Sequence, residues 1–372
     1  MKVLQLGKFY PIRGGVEKVM YDLMLGLSAA GIDCDMLCAS TENHPAAEIQ
    51  LNKHAKLMVM PTNIKVAATM LAPTMVIKLR NIAKQYDIIH IHHPDPMATL
   101  ALFLSGYKGK VILHWHSDIL KQKTLLKLYK PLQSWLIKRA NLIVGTTPVY
   151  VKESSFLDKV QNKVDYIPIG IEANTGNPGL ESSIKAQYPG KFIVFSLGRL
   201  VEYKGFEYLI RSAALLPENF QILIGGKGPL EGELKELISE LGLTDKVKLL
   251  GFLSDEEVDA YFAVCDIFCL SSIWKTEAFA IVQIEAMAKG KPIVTADIPG
   301  SGVSWVNKDG VSGIVVPIEN PQALANAFMK LEEDKEFREK CIEGSISRYH
   351  DYFSRDKMVG KCLQLYRKVL SN

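Results

Sequence analysis

The sequence predicts an α/β protein of two doubly wound domains, each built on a parallel sheet. The chain has 372 residues, which is long enough for two domains that each bury a core of their own. Short β-branched runs alternate with helical patterns along almost the whole chain, as expected for βαβ units. Residues 171–179 interrupt this alternation with a polar stretch that contains Gly and Pro, which indicates a linker or a domain edge.

Twelve short runs have the length and residue types of buried strands. They are rich in Val, Ile, Leu and Phe. Because ligands of doubly wound sheets bind at the carboxyl ends of the strands, the residues directly after these runs are the site candidates. The runs are 3–6, 34–39, 57–60, 87–91, 111–115 and 142–145 in the first half, and 192–197, 221–224, 247–250, 266–270, 293–296 and 314–316 in the second.

The composition, with 48% hydrophobic and 23% charged residues, is that of a soluble globular protein. The net charge of +4 is small, so any basic surface must come from local clustering, and we expect no nucleic-acid partner. We expect no signal peptide and no membrane-spanning segment. The cysteines, at positions 34, 38, 265, 269, 341 and 362, are expected to be free buried thiols of a cytoplasmic protein.

The stretch 276–292 predicts a helix from about Phe279 to Lys289. Glu277 lies just before its first turn, and Glu285 lies inside it, about 9 Å along the axis from the first helical residue. The first-turn N–H groups have no intrahelical partner and suit a phosphate. A ligand with a polyhydroxyl group, a diphosphate and a ribose would match this row, whereas the alternative is an amphipathic helix with two solvated glutamates. The first-turn residues are Phe279, Ala280, Ile281 and Val282.

The motif Glu277-x7-Glu285, followed by Ala-Met-Ala-x-Gly-x-Pro, resembles the donor-binding motif of the family-4 retaining glycosyltransferases, which have the GT-B fold. The resemblance implies that Glu277 holds the donor sugar and Glu285 the ribose. It also implies two Rossmann-like domains that face each other across a cleft, and a C-terminal helix that crosses back to the first domain. We therefore expect an acceptor-side domain, a linker or domain edge, a nucleotide-sugar-binding domain and the crossing helix at residues 1–172, 173–190, 191–350 and 351–372.

Further motifs match the donor site of this family. Gly14 and Gly15 precede the first helix, and the resemblance places their amides near the donor diphosphate and the acceptor; the alternative is an ordinary tight turn. Arg199 and Lys204 match the family's diphosphate-binding pair, in which Arg offers a fork and Lys a point charge. Alternatively, one of them forms a surface ion pair with Glu202. The resemblance also assigns two positions to the nucleotide, namely Gly226 and Phe252.

Five histidines cluster in and after two neighbouring predicted strands. Neutral imidazoles together with Asp118 would make a plausible zinc set by residue type, and a histidine-zinc hydrolase is the rival function from another class. The segment 116–118 resembles the family's histidine loop, which assigns His116 to the donor sugar. His93 and Asp118 are assigned to the acceptor side, and the other histidines are expected to be structural or to line the acceptor. The five are His90, His92, His93, His114 and His116.

The segment 119–139 contains basic residues and no acidic one. The basic residues alternate with leucines and Trp135, a pattern that suits the surface of an anionic membrane; the alternative is a solvated helix face. Residues 62–80 are apolar and are interrupted by Pro73, which predicts a core helix and its successor or, alternatively, an acceptor-side lip that touches lipid. The basic residues of the first segment are Lys121, Lys123, Lys127, Lys130, Lys138 and Arg139.

The sequence predicts an enzyme without a metal or other cofactor. Asp33 and Asp35 have the Asp-x-Asp spacing of a metal site, but they stand at the entry of a strand, at the end opposite the expected site. No general base stands out. The family's retaining chemistry is consistent with this, because the leaving phosphate can itself take the acceptor proton.

The resemblance is greatest to bacterial enzymes that build O-antigen or exopolysaccharide on a polyprenyl lipid. We therefore expect transfer of a hexose, with GDP-mannose as the favoured donor, to a sugar hydroxyl of a polyprenyl-diphosphate-linked acceptor at the inner face of the cytoplasmic membrane. The alternatives are a UDP-sugar donor that carries GlcNAc, GalNAc, glucose or galactose, an epimerase or phosphorylase of the same fold, and a catalytically silent sugar-nucleotide-binding subunit.

Overall fold

The computed structural model of the protein describes residues 1–12, 15–41, 44–66, 69–119 and 123–371. The chain divides into two compact units. Unit 1 consists of Met1–Gly170 and Arg355–Asn372, and unit 2 consists of Ile171–Ser354.

Unit 1 alternates strands and helices from its first residues. Its strands are β1 (Lys2–Tyr10), β2 (Asp33–Ser40), β3 (Ala47–Asn52), β4 (Ala55–Met60), β5 (Ile64–Val66), β6 (Thr69–Leu71), β7 (Ile88–His93), β8 (Lys110–Trp115), β9 (Leu142–Gly145) and β10 (Val164–Tyr166). Its helices before residue 171 are α1 (Gly15–Ala29), α2 (Pro73–Ile82), α3 (Pro96–Ser105), α4 (Lys123–Arg139) and α5 (Pro148–Lys152).

One large sheet forms the centre of unit 1. Its strands, as far as the structure describes the chain, follow the order β10-β9-β8-β7-β1-β2-β4-β3, and β5 and β6 form a separate hairpin. Neighbouring strands run parallel, except for the antiparallel pair of β3 and β4. The register of β7 and β8 places His92 beside His114 and His93 beside Trp115. This register brings the histidines of two strands together.

Unit 2 repeats the alternation of strands and helices. Its strands are β11 (Phe192–Leu197), β12 (Phe220–Gly225), β13 (Val247–Gly251), β14 (Ile267–Leu270), β15 (Ile293–Asp297) and β16 (Gly313–Pro317). Its helices are α6 (Pro178–Ala186), α7 (Phe206–Ala213), α8 (Glu231–Glu240), α9 (Asp255–Val264), α10 (Ile281–Ala288), α11 (Val303–Val306), α12 (Pro321–Glu333) and α13 (Lys335–Arg348).

The sheet of unit 2 is parallel throughout, in the order β13-β12-β11-β14-β15-β16. The chain order reverses between β11 and β14, and this is the point where ligands bind in doubly wound sheets. The central strands β12, β11, β14 and β15 are buried almost completely, because helices cover both faces of such a sheet, whereas the edge strands β13 and β16 are partly exposed. Val194, Ile222, Ile267 and Val294 are all fully buried within one core cluster.

The helices begin at recognisable sequence signals. Asp95 caps α3, where its Oδ1 accepts a hydrogen bond of 2.9 Å from the N–H of Ala98, and Pro96 occupies the first helical position. Ser254 and Glu257 form a reciprocal capping box at α9. Such caps satisfy N–H groups that have no partner inside the helix.

A C-terminal helix, α14 (Arg355–Ser371), returns the chain to unit 1. It packs against α1, where Gly26 leaves room for Val359. Its Tyr366 is fully buried and hydrogen-bonds with residues of the large sheet. In the described part of the chain, no helix is both long enough and apolar enough to cross a membrane.

The twelve predicted strands are present, as β1, β2, β4, β7–β9 and β11–β16. The segment 64–71 differs from the expectation, because β5 and β6 form a hairpin there and the helix begins only at Pro73. Residues 173–190, predicted as a linker or domain edge, lie in unit 2 and contain α6. Asn177 caps this helix and Pro178 starts it, so the polar Asn-Pro signal marks a helix start.

Candidate functional site

Two loops meet at the carboxyl edge of the sheet in unit 2. Arg199 and Lys204 follow β11, and Glu277 follows β14. Since β11 and β14 are neighbours and run parallel, their carboxyl ends lie side by side. The sheet topology therefore brings together three of the residues that the sequence singled out.

Lys204 and Glu277 form a buried ion pair, with 2.5 Å between Nζ and Oε2. Ser272 donates a second hydrogen bond to the same oxygen at 3.0 Å. No residue that the structure describes donates to Oε1 of Glu277, so one carboxylate oxygen is anchored and the other has no donor in the described part of the chain. The hydroxyl of Ser301 donates to the backbone carbonyl of Glu277 and fixes the loop.

The ion pair shows which residue neutralises the charge of Lys204. A cation beside a helix start is unfavourable for the helix dipole, and Lys204 directly precedes Gly205, the N-cap of α7. Burial by itself lowers the pKa of Lys204, and the charge of Glu277 with its hydrogen bond outweighs this effect and raises the pKa above its usual value. The partner of Lys204 is thus Glu277, and not Glu202 as the alternative assumed.

Helix α10 begins at Ile281, two residues later than predicted. Ala280 is the N-cap and adopts a left-handed backbone conformation with φ of 61°, so the helix cannot extend back through it to Phe279, which is buried against Phe353. The unpaired N–H groups therefore start at Ile281. Glu285 lies half-buried in the second turn, about 6 Å along the axis from Ile281.

The remaining donor-site candidates of unit 2 lie after β11, β12 and β13. Arg199 is exposed, and its guanidinium forms no hydrogen bond or ion pair with a described residue. Phe252 is 74% exposed, so its ring face is open to a base. Gly226 has φ of 127°, and a Cβ there would lie 1.9 Å from the carbonyl oxygen of Gly198. Only glycine allows these two loops to approach so closely.

In unit 1, His116 follows β8 and is buried. Its Nε2 lies 2.8 Å from Nδ1 of His92, and its ring stacks on that of His114 at 4.0 Å. Gly15, which was predicted to precede the first helix, is the first residue of α1, and Gly14 lies outside the described residues.

A group of buried histidines is the one cluster with metal-ligand chemistry found among the described residues. The nitrogens of His90, His92 and His114 lie within 4.8 Å of one another. However, the rings stack with interplanar angles between 9° and 27°. A zinc ion lies near the plane of each ligating ring at about 2.0–2.1 Å from its nitrogen, and nearly parallel stacked rings cannot share one such point. Asp118, the carboxylate of the predicted set, is not in this group.

His93 and Asp118, which were assigned to the acceptor side, are both buried. His93 stacks on Trp115 at 3.8 Å, and Gln133 lies 3.0 Å from its Nε2. Asp118 accepts hydrogen bonds from Trp115 at 2.8 Å and from Ser154 at 2.7 Å. These contacts explain both side chains as parts of the fold, and contact with an acceptor stays a prediction.

Sequence reasoning missed a buried charged group at the carboxyl edge of the sheet in unit 1. Lys8 has a left-handed backbone with φ of 62°, and its Nζ donates to the carbonyl of Pro94 at 2.6 Å. Its backbone N–H donates to Asp95 at 2.6 Å. Burial lowers the pKa of Lys8 and raises the pKa of both Asp95 and Glu17. The bulge that turns Lys8 inward has no sequence signal, although Asp95-Pro96 is a recognisable helix start.

Asp33 and Asp35 lie at the start of β2, as predicted, and each already has partners. His54 lies 2.7 Å from Asp33, and Tyr86 donates to Asp35 at 2.7 Å. The six cysteines are free and buried, which confirms the expectation from the sequence.

Comparisons with known proteins agree with this geometry. Residues 13–175 match the family model "Glycosyltransferase Family 4", and residues 181–348 match "Glycosyl transferases group 1". O-antigen chain mannosyltransferase C of Escherichia coli is 30% identical over the whole length of both chains. D-rhamnosyltransferase WbpZ of Pseudomonas aeruginosa is 30% identical over 95% of this chain and 92% of its own.

Among solved structures, HepE of Anabaena in complex with UDP-glucose superposes with a TM-score of 0.75 at 21% identity, over 99% of this chain and 100% of the other. At this identity the likeness shows the fold alone. The predicted GT-B fold is confirmed.

Because its histidines are buried, we predict that unit 1 becomes less stable in acid. Burial lowers the pKa of His90, His92, His93 and His116 well below the usual value and lowers the pKa of His114 to about 3. The unfolded chain therefore binds more protons below pH 6.5. The free energy of unfolding should be constant above that pH and should fall below it by about 1.4 kcal/mol per pH unit for each histidine.

Thermal unfolding between pH 7.5 and 5.0 measures this effect. His114→Phe removes a ring with no hydrogen bond to any described residue, so its stability should depend less steeply on pH. The exposed His350 serves as the control, because His350→Gln should leave the slope unchanged. Equal slopes for His114→Phe and the wild type would contradict the prediction.

Proposed function

The chain belongs to the family-4 glycosyltransferases, and on this premise we propose that it is a retaining enzyme that moves a hexose from a nucleoside-diphosphate sugar to an acceptor hydroxyl. The observation that carries the proposal is the state of Glu277. Its Oε2 is held by Lys204 and Ser272, and its Oε1 has no donor among the described residues. A fixed carboxylate with one open oxygen is suited to accept hydrogen bonds from sugar hydroxyls.

Departure of the nucleoside diphosphate builds negative charge on the leaving oxygens. The ammonium of Lys204 and the first N–H groups of α10 would stabilise this charge, since they are fixed before the reaction starts, and the exposed Arg199 would add its guanidinium. We assign the ribose to Glu285, the base to Phe252 and the donor sugar to Glu277 and His116. Gly15, with Gly14, Gly226 and the backbone of Phe279, Ala280, Ile281 and Val282, completes the proposed donor set.

We propose GDP-mannose as the donor and a polyprenyl-diphosphate-linked saccharide of O-antigen or polysaccharide synthesis as the acceptor. The similarity to an O-antigen mannosyltransferase over the full length supports both. The second candidate is a UDP-sugar donor, which the likeness to a structure solved with UDP-glucose favours. Thermal-shift measurements with GDP, UDP and their sugars separate the two, because a ligand that binds only the folded state raises its unfolding temperature.

A lipid-linked acceptor would require contact with the inner face of the cytoplasmic membrane, and we propose that α4 and α3 of unit 1 supply it. On α4 the exposed side chains include Lys127, Lys130 and Leu128, which is 79% exposed. Tyr129, Gln133 and Leu136 face the interior, so the apolar face of this helix serves the fold more than the sequence pattern suggested. Arg139 is also engaged, since it donates to the carbonyls of Tyr107 and Gly109.

Helix α3 adds apolar surface beside α4. Phe103 and Leu104 are 47% and 48% exposed, and Phe103 meets Trp135 of α4 edge-on at 5.0 Å. Exposed apolar side chains next to lysines match the interface of an anionic bilayer, where the lysines reach headgroups and the apolar groups reach acyl chains. Lys121 lies outside the described residues.

We predict that the Lys204–Glu277 pair is needed for turnover and not only for folding. Removal of one member leaves a buried charge unpaired and should cost about 3–5 kcal/mol of stability. The double variant Lys204→Met/Glu277→Gln should regain most of that stability, yet its turnover at saturating donor should stay about 10²–10³-fold below the wild type.

A buried pair elsewhere in unit 2 is the matched control. Lys289 and Asp259 are 2.8 Å apart and only slightly more exposed than Lys204 and Glu277, so Lys289→Met/Asp259→Asn should keep its activity. A double variant of Lys204 and Glu277 with nearly normal turnover would refute the assignment.

We predict that transfer does not require a metal ion. Arg199, Lys204 and the N-terminus of α10 provide the positive charge that a divalent cation supplies in other enzymes. Activity in excess chelator should stay within about twofold of the untreated enzyme, a difference of about 0.4 kcal/mol in the barrier. Loss of activity that manganese or magnesium restores would contradict this.

We predict reversible binding to anionic vesicles. Replacement of Lys121, Lys123, Lys127 and Lys130 by serine should remove up to about 1 kcal/mol of attraction for each charge, and high salt should weaken wild-type binding. Co-sedimentation with anionic and neutral vesicles at two salt concentrations measures both effects. The control removes four lysines from unit 2, namely Lys185, Lys330, Lys335 and Lys340. Equal binding by the two fourfold variants would show that α4 presents only a solvated face.

A further inference from the structure

A chain of hydrogen bonds runs through the interior of unit 1 from His116 to the C-terminal helix. His116 Nε2 lies 2.8 Å from His92 Nδ1, and His92 Nε2 lies 2.8 Å from Gln5 Oε1. The amide nitrogen of Gln5 donates to the hydroxyl of Tyr366 at 3.1 Å, and this hydroxyl lies 2.6 Å from Nδ1 of His90. All five side chains are buried.

The orientation of the Gln5 amide determines where each imidazole proton in this chain of hydrogen bonds lies. These histidines are neutral, because burial holds their pKa well below the usual value, so each ring has one N–H and one lone pair. The carbonyl oxygen of Gln5 can only accept, so His92 must be protonated on Nε2. Its Nδ1 then accepts from His116, which must carry its proton on Nε2. The lone pair of His116 therefore lies on Nδ1.

The opposite arrangement would require every link to reverse together. If the Gln5 amide were turned, it would donate to His92, and His92 would donate from Nδ1 to His116. The proton of His116 would then lie on Nδ1. If only some of the links reverse, at least one buried donor faces a donor or one acceptor faces an acceptor. Such a contact is costly in a low-dielectric interior. The orientation of one buried amide thus selects the tautomer of a histidine two links away.

We propose that Gln5, His92 and Tyr366 are positioning residues that hold His116 with its proton on Nε2 and its lone pair on Nδ1. The ring nitrogens of His114 have no hydrogen-bond partner among the described residues, and the ring sets the plane of the His116 ring by stacking at 14°. Nδ1 of His116 makes no hydrogen bond with a described residue and can accept one from a hydroxyl. That this hydroxyl belongs to the donor sugar rests on the proposed function.

The tautomer can be read without any substrate. Nitrogen-15 NMR of histidine-labelled full-length protein at pH 7.5 distinguishes protonated from unprotonated ring nitrogens, and His116→Gln assigns the signals. We expect the Nε2–H tautomer for His116 in the wild type and a mixture of tautomers in Gln5→Met. A wild-type proton on Nδ1, or an unchanged His116 signal in Gln5→Met, overturns the proposal.

Two further variants complete the test. Tyr366→Phe keeps the packing of α14 but removes the oxygen acceptor of the Gln5 amide nitrogen and leaves it only the weak acceptor Sγ of Cys34 at 3.6 Å, so it should also mix the tautomers even if Gln5→Met folds poorly. Gln133→Met removes another buried glutamine–histidine contact, the one to His93, and should leave the His116 tautomer unchanged. A mixture of His116 tautomers in Gln133→Met, or a single His116 tautomer in Tyr366→Phe, would contradict this chain of hydrogen bonds.

Kinetics show whether the tautomer serves the donor. Gln5→Met and Tyr366→Phe should lower kcat/KM about three- to tenfold, which is the effect expected from the loss of one hydrogen bond. Mixed tautomers with unchanged kcat/KM would refute the positioning role. An enzyme with full glycosyltransferase activity and the wrong tautomer would refute only this inference, whereas the expected tautomer in a protein without transferase activity would refute only the proposed function.

Discussion

The buried ion pair of Lys204 and Glu277 is the interaction on which the carboxyl edge of unit 2 depends. The two residues are 73 positions apart and meet only because β11 and β14 are neighbours in the sheet. Removal of both charges from water costs several kcal/mol for each ion, and their attraction and the hydrogen bond from Ser272 offset that cost. Apolar side chains of the same size would often stabilise such a position as well or better. The pair therefore adds little net stability, which agrees with the donor-binding role that we propose for Glu277.

The sequence predicted the strands of both sheets because parallel strands that are buried on both faces read as nearly continuous apolar runs. It also predicted which loops carry polar side chains, since ligand groups follow strand ends in this architecture. It did not predict the start of α10. Phe279 and Ala280 have ordinary helix propensity, but the packing of Phe279 against Phe353 and the left-handed conformation of Ala280 are tertiary effects.

The sequence also could not predict which residues far apart in the chain would contact each other. Lys204 had a nearby glutamate at position 202, and local spacing could not show that its partner is Glu277. The histidines were seen as a cluster, and alternation along a strand placed His114 and His116 on one face. The register of β7 against β8, which sets the contact of His92 with His116, required the structure. Gln5 and Tyr366 gave no signal, because a single buried polar residue in a strand or helix has no characteristic pattern.

In each unit, a buried partner fixes one atom of a polar side chain. In unit 2, one oxygen of Glu277 is tied by a buried lysine, and in unit 1, one nitrogen of His116 is tied by a buried histidine. In each case the other atom of the group has no partner among the described residues. A group that is held at one end loses little freedom when a ligand binds the other end, and its dipole needs no reorientation during the reaction. The cost is paid in the folded state, as buried charge in unit 2 and as acid sensitivity in unit 1. Both groups lie beside the carboxyl end of a parallel strand, where ligands bind in this architecture, and this position agrees with the roles that we propose for Glu277 and His116.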